Sequence, residues 1–121
     1  MVLIYIINIA NKKLKEKIEI ERKKLASIYE RYDNIKKENP TEKDLQDLDE
    51  LARDLFKERD NMAYNLSYRE LAKNYESNIK HNFCLKMSEV MYSKNKIRSE
   101  DILEVINLFL EVMEEFKLPK P

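Results

Sequence analysis

Between Pro40 and Tyr92 neither proline nor glycine interrupts the chain, and a heptad seam runs into that stretch. Leu45, Leu48, Ala52, Leu55, Arg59, Met62 and Leu66 follow one another at intervals of three and four, and only Arg59 breaks the apolar run. That spacing gathers the side chains on one stripe of a helix, and a second helix must cover it. Upstream, Leu14, Ile18, Glu21, Leu25, Ile28, Tyr32 and Ile35 repeat the pattern, with Glu21 the polar member. Asn39 precedes Pro40 and is pushed out of helical dihedrals. Thr41 is a good N-cap, and Asp44 stands where a capping-box acid belongs. Two long helices joined by so short a connection form an antiparallel hairpin, with helices over about 2–37 and 41–92.

After Leu66 the stripe shifts to Tyr68, Ala72, Tyr75, Ile79, Phe83, Met87 and Val90. The second helix either bends near Asp60–Tyr68 or continues unbroken against a new neighbour. With no proline or glycine there, the unbroken helix is the preferred reading. A third helix is expected over about 99–117, with Ser99 as its cap and Ile102, Ile106, Phe109, Met113 and Phe116 as its stripe. Leu103, Val105, Leu108, Leu110 and Val112 widen that stripe, so the helix is buried on more than one side. The fold expected is all-α: a long hairpin with the third helix packed on its distal half, as a three-helix bundle that becomes four-helical on dimerisation. Residues 1–117 read as one helical domain and 118–121 as a short tail.

Antiparallel register brings Ile7 near Ala72 and Phe116 near Tyr75. Residues 2–9, apolar nearly all round, then lie inside the three-helix end. The opposite end is a two-helix prong tipped by Asn39 and Pro40. The apolar opening does not read as a signal peptide, because Lys12, Lys13, Lys15 and Lys17 follow it rather than precede it. At about ten residues it is also short of the roughly twenty that span a bilayer. A buried first turn or two of helix is the preferred reading, ahead of a short strand or a membrane-surface anchor.

Composition removes several functions. Glycine is absent, which argues against phosphate-cradling loops. Net charge is zero, so a uniformly basic nucleic-acid binder is not indicated. Charge comes in four blocks: 11–38 carries ten basic and six acidic residues, 41–61 four and eight, 62–99 seven and three, 100–121 two and six. Neighbouring blocks are complementary. The lone Cys84 excludes an internal disulfide and fits a reducing, cytoplasmic setting.

Chemistry-bearing clusters are sparse. His81 and Cys84 share a helix face, but a structural zinc needs four ligands and a catalytic one three. No metal, cofactor or catalytic residue is expected. Glu21 and Arg59 come almost level across the hairpin, and their pairing would fix register rather than add stability. Seven tyrosines are spread along the chain, and Tyr29 is the one read as a partner contact. The segment Leu45–Phe56, following a helix with Arg22-Lys23-Lys24-Leu25, resembles the short helical-hairpin phosphatases that act on response regulators in sporulating bacteria. That family carries a serine four residues before its motif aspartate; with Asp49 as that aspartate, Leu45 stands at the serine position.

The function expected is a non-enzymatic protein-interaction, adaptor or regulatory module acting through helical faces as a homodimer. Glu21, Tyr29, Arg59, Phe109, Met113 and Phe116 are its candidate contact residues. The alternatives are a nucleic-acid regulator using Lys12, Lys13, Lys15, Lys17, Lys23 and Lys24, or a phosphatase-like hairpin of the kind the resemblance implies. A membrane partner is not indicated.

Overall fold

The structure, a computed structural model, describes residues 2–76 and 78–118, and their side chains except those of Val2, Leu3, Tyr5, Glu21 and Leu25. It is all-α, with α1 (Val2–Asn34), α2 (Glu42–Asp60), α3 (Tyr68–Asn74), α4 (Asn78–Met91) and α5 (Ser99–Glu115). The end of α1 and the whole of α2 form the hairpin, α5 packs on α2 and α4, and α3 packs on α4.

The hairpin turn is built as its residues suggest. The α1 backbone tightens at its end, with the Ile35 amide donating to the Tyr32 carbonyl. Lys37 Nζ donates to the carbonyls of Tyr32 and Ile35 at 2.7 and 2.8 Å, which satisfies acceptors the helix end leaves open. Thr41 donates from its amide to Asp44 Oδ2 at 2.8 Å, and its hydroxyl donates to the same oxygen. The bond from the Thr41 amide, above all, holds the Asp44 carboxyl below the usual range. A depressed carboxylate stabilises the fold above its unfolded pKa, and that contribution disappears as pH falls through the folded value. Asp44→Asn is therefore expected to cost about 0.5–1 kcal/mol at neutral pH, a typical capping contribution. The difference should vanish in strong acid, as read by denaturant midpoints at both pH values.

The expected continuous helix over 41–92 is not what forms. Asn61 turns into the left-handed region at φ 55°, and its amide donates to the Lys57 carbonyl at 2.9 Å. Asparagine tolerates this conformation because its short polar side chain adapts to the local backbone. In a chain without glycine, Asn39, Asn61 and Lys117 are the described residues that take positive φ. Ser67 then opens α3 with a capping box: the Glu70 amide donates to Ser67 Oγ at 3.1 Å, and the Ser67 amide donates to Glu70 Oε1 at 3.4 Å. A second break follows α3, where Tyr75 is extended and His81 Nδ1–H donates to the Ala72 carbonyl at 2.8 Å.

Breaking the long helix creates two more walls for the core. Phe83 sits at their meeting point, wholly buried, with ring centroids of Phe109, Phe56 and Tyr68 at 5.4, 6.1 and 6.2 Å. The breadth of the α5 stripe is thereby covered inside one chain: Ile102, Val105, Ile106, Phe109, Val112 and Met113 are all buried. A dimer is not needed to cover them, contrary to expectation. Ser99 opens α5 but does not cap it; Arg98 holds the cap position, and Ser99 Oγ donates to the Pro40 carbonyl at 2.9 Å. Leu118, assigned to the tail, is buried, with its amide on the Met113 carbonyl. Residues 119–121 of that tail lie outside the described residues.

The orientation of the bundle is also reversed. The turn tipped by Asn39 and Pro40 belongs to the body, with Ile35 and Pro40 buried. The free end is the start of α1. Every described side chain from Ile4 to Ile20 is exposed, so residues 4–9 are not a buried beginning of the bundle, and they are helix rather than strand.

Candidate functional site

The site begins where the α1 seam leaves the body. Ile28, Tyr32 and Ile35 are 4–5% exposed. Tyr32 reaches α5, with its ring 6.1 Å from Phe109 and its hydroxyl donating to the Ile106 carbonyl. One helical stripe further back, Ile18, Leu14, Ile7 and Ile4 are 52, 56, 50 and 64% exposed. The sequence pattern does not change between these two parts; only the cover does. The α2 helix, which covers the first part, stops at Asp60. Residues 4–20 continue for about 24 Å at the helical rise of roughly 1.5 Å per residue. An exposed apolar stretch of this length on a water-facing helix marks a contact surface.

Charge follows the same division. Inside the body, Arg31 Nη1 meets Asp54 Oδ2 at 2.7 Å and Lys24 Nζ meets Glu58 Oε1 at 4.0 Å. Tyr64 adds to this edge by donating to Asp54 Oδ1, with the Lys57 ammonium over its ring. On the free part, Lys12, Lys13, Lys15, Lys17 and Lys23 are exposed. They cover both flanks and the back of α1, with Glu16 and Glu19 among them, rather than forming one basic stripe.

The contact residues expected from sequence are dispersed. Tyr29 is buried at 8% exposure, and burial followed by the nearby Glu114 carboxylate raises its phenol pKa. Phe109, Met113 and Phe116 are core side chains of the monomer. A partner would reach them only by opening that core. Arg59 donates to the Phe116 carbonyl at 3.2 Å and lies over its ring. The Glu21 side chain, its expected partner, lies outside the described ones. Sequence reasoning missed the free seam residues Ile4, Ile7, Leu14 and Ile18 as a surface, because apolarity alone does not say which chain supplies the cover.

Asp49, Arg53 and Tyr68 are engaged in the fold. Asp49 Oδ1 accepts from Tyr68 Oη at 2.5 Å and from Arg53 Nε at 2.9 Å. Arg53 also donates to the carbonyls of Tyr64 and Leu66 at 2.9 and 2.6 Å, and so holds the α2–α3 connection. Burial, and then the bond to Asp49, push the Tyr68 phenol far up. Cys84 is fully buried, which pushes its thiol up to about 12 and keeps it protonated. Among the described residues no three His, Cys, Asp or Glu side chains are grouped to hold a metal, and no helix is long and apolar enough to cross a membrane.

No protein-family model matches the chain, and neither a curated protein nor a solved structure does.

Proposed function

We propose that the chain is a non-enzymatic protein-interaction module whose docking element is the free part of α1. One observation carries this reading: a single helical seam is buried from Ile28 onward and bare from Ile4 to Ile18. The body acts as a base that holds the end of α1 and presents the rest. Asp49, which a phosphatase-like role would use, is tied to Arg53 and Tyr68, and this favours binding over catalysis. Nucleic-acid binding is the weaker reading, because the lysines surround α1 together with acids and are not set out along one face.

The test uses a designed amphipathic peptide of four heptads, with an apolar core and glutamine at the flanking positions. The full chain is expected to bind it, by fluorescence anisotropy, and Leu14→Asp with Ile18→Asp should abolish binding. Both sites are exposed, so the double variant should keep its denaturation midpoint within about 0.5 kcal/mol of the parent, as surface changes do. Equal binding by parent and variant would remove α1 as the docking element. A complex with DNA or RNA that salt dissolves would favour the nucleic-acid reading instead.

A further inference from the structure

The flanks of the α1 seam say which kind of helix can lie on it. Ile4, Asn11 and Ile18 occupy one core position of a seven-residue repeat, and Ile7 and Leu14 occupy the other. Tyr32 continues the first position and Ile28 and Ile35 the second, so the free and buried parts are in phase. Beside the seam, Lys15 and Arg22 form one flanking row, and Lys17, Lys24 and Arg31 form the other. Both rows are basic from Lys15 and Lys17 through Arg22 and Lys24 to Arg31, with Tyr29 interrupting the first; before Lys15, the neutral Asn8 and Ala10 hold the same positions.

The second row already shows what it recognises. Its buried-end members Arg31 and Lys24 meet Asp54 and Glu58 of α2, an acidic helix. Because α2 ends at Asp60, Lys17 lies roughly 10 Å past the Lys24 level on the α1 axis, beyond that partner. Among the described residues, Lys15, Lys17 and Arg22 make no ion pair.

We infer that residues 4–20 of α1 take up an amphipathic helix of a partner protein whose flanking positions are acidic. That helix does in trans, along the free seam, what α2 does in cis along the buried one. A second copy of this chain does not meet the requirement. Pairing the free seam with itself in parallel sets Lys17 against Arg22, and pairing it antiparallel sets Lys15 and Lys17 against the neutral Asn8 and Ala10, so neither direction supplies the acids that α2 supplies in cis. The acidic α2 of another copy has its own apolar side, Leu48, Leu51 and Leu55, fully buried in its own core. Asn11, exposed and central in the seam, calls for a polar residue opposite and so sets register.

This inference rests on the reading that α1 is the docking element, and the test separates the two. Three four-heptad peptides with the same apolar core carry glutamate, glutamine or lysine at the flanking positions. They are titrated against the full chain at low and high salt, beside vesicles of anionic phospholipid. The glutamate peptide should bind about tenfold tighter than the glutamine peptide at low salt, since several i-to-partner ion pairs act together. The lysine peptide should bind weakest. Lys15→Glu, Lys17→Glu and Arg22→Glu together should invert that order without moving the denaturation midpoint. Equal affinity for all three peptides would overturn the charge rule and leave the docking reading standing. No binding to any peptide would overturn both. Vesicle binding without peptide binding would make a membrane surface the occupant, and a dimer at micromolar concentration lost on Leu14→Asp would make it a second copy; either overturns the inference.

Discussion

Phe83→Ala is expected to lower folding stability by about 3–5 kcal/mol, the range for removing a buried aromatic ring from a packed core. Phe83 is wholly buried, and its ring lies against Phe56 of α2, Tyr68 of α3 and Phe109 of α5. The truncation would leave a cavity at the point where four helices meet. Neighbours on three other helices cannot all relax into it, so the upper half of the range applies. For a domain of this size, with a total stability of roughly 5–15 kcal/mol, much of the folded population's margin would go. Urea titration of parent and variant reads the effect as a shift in midpoint. A loss below about 1 kcal/mol would mean that this site is wet or plastic and that the aromatic centre is wrongly placed. Leu14→Ala is the internal comparison: it removes a comparable apolar side chain from the exposed seam and should leave the midpoint unchanged.

Arg53→Met is expected to cost about 2–4 kcal/mol, because hydrogen bonds to charged groups contribute about 1.5–3 kcal/mol each and the partners would be stranded. The guanidinium has three tasks. It pairs with Asp49, it lies over the Tyr68 ring face at 4.6 Å, and it donates to the carbonyls of Tyr64 and Leu66. Methionine keeps most of the stem volume and none of the donors, so the loss reports the polar contacts rather than packing. Hydrogen exchange should localise the damage to residues 61–75, the connection and α3, while α5 keeps its protection. A uniform loss across all helices, or none, would say that Arg53 does not hold the break in place.

Much of the core was legible from spacing alone. The spacing of Leu45, Leu48, Ala52 and Leu55 puts them on one seam, and all are buried. The Thr41–Asp44 cap could be read locally because its partners are three residues apart. The break after Asp60 was harder. Nothing forbids a helix there, and the decisive contact runs from Arg53 across the turn to two carbonyls. A tertiary interaction of that kind leaves no periodic trace. Ser67-x-x-Glu70 was the one local signal, a capping box inside an apparently helical run. Missing it had consequences further along. With only three helices available, the apolar breadth of α5 required a dimer; with α3 and α4 as separate walls, one chain covers it. Residues 4–9 differ the other way: their apolar pattern predicts a place in the core of their own chain, and Ile4, Ile6, Ile7 and Ile9 are exposed. Hydrophobic pattern shows that a face needs cover. It does not show whether the cover is in cis or in trans, and here α2 is too short to supply it.

Amide hydrogen exchange along α1 at low protein concentration tests the central claim most directly. If the seam is covered from Ile28 onward and bare before it, amides of residues 4–20 should exchange orders of magnitude faster than those of 28–34, because an isolated helix is marginally stable in water. Addition of a helical partner should then slow the fast set alone. Equal, concentration-independent protection along the whole of α1 would show that residues 4–20 are packed on the body, and would contradict the account.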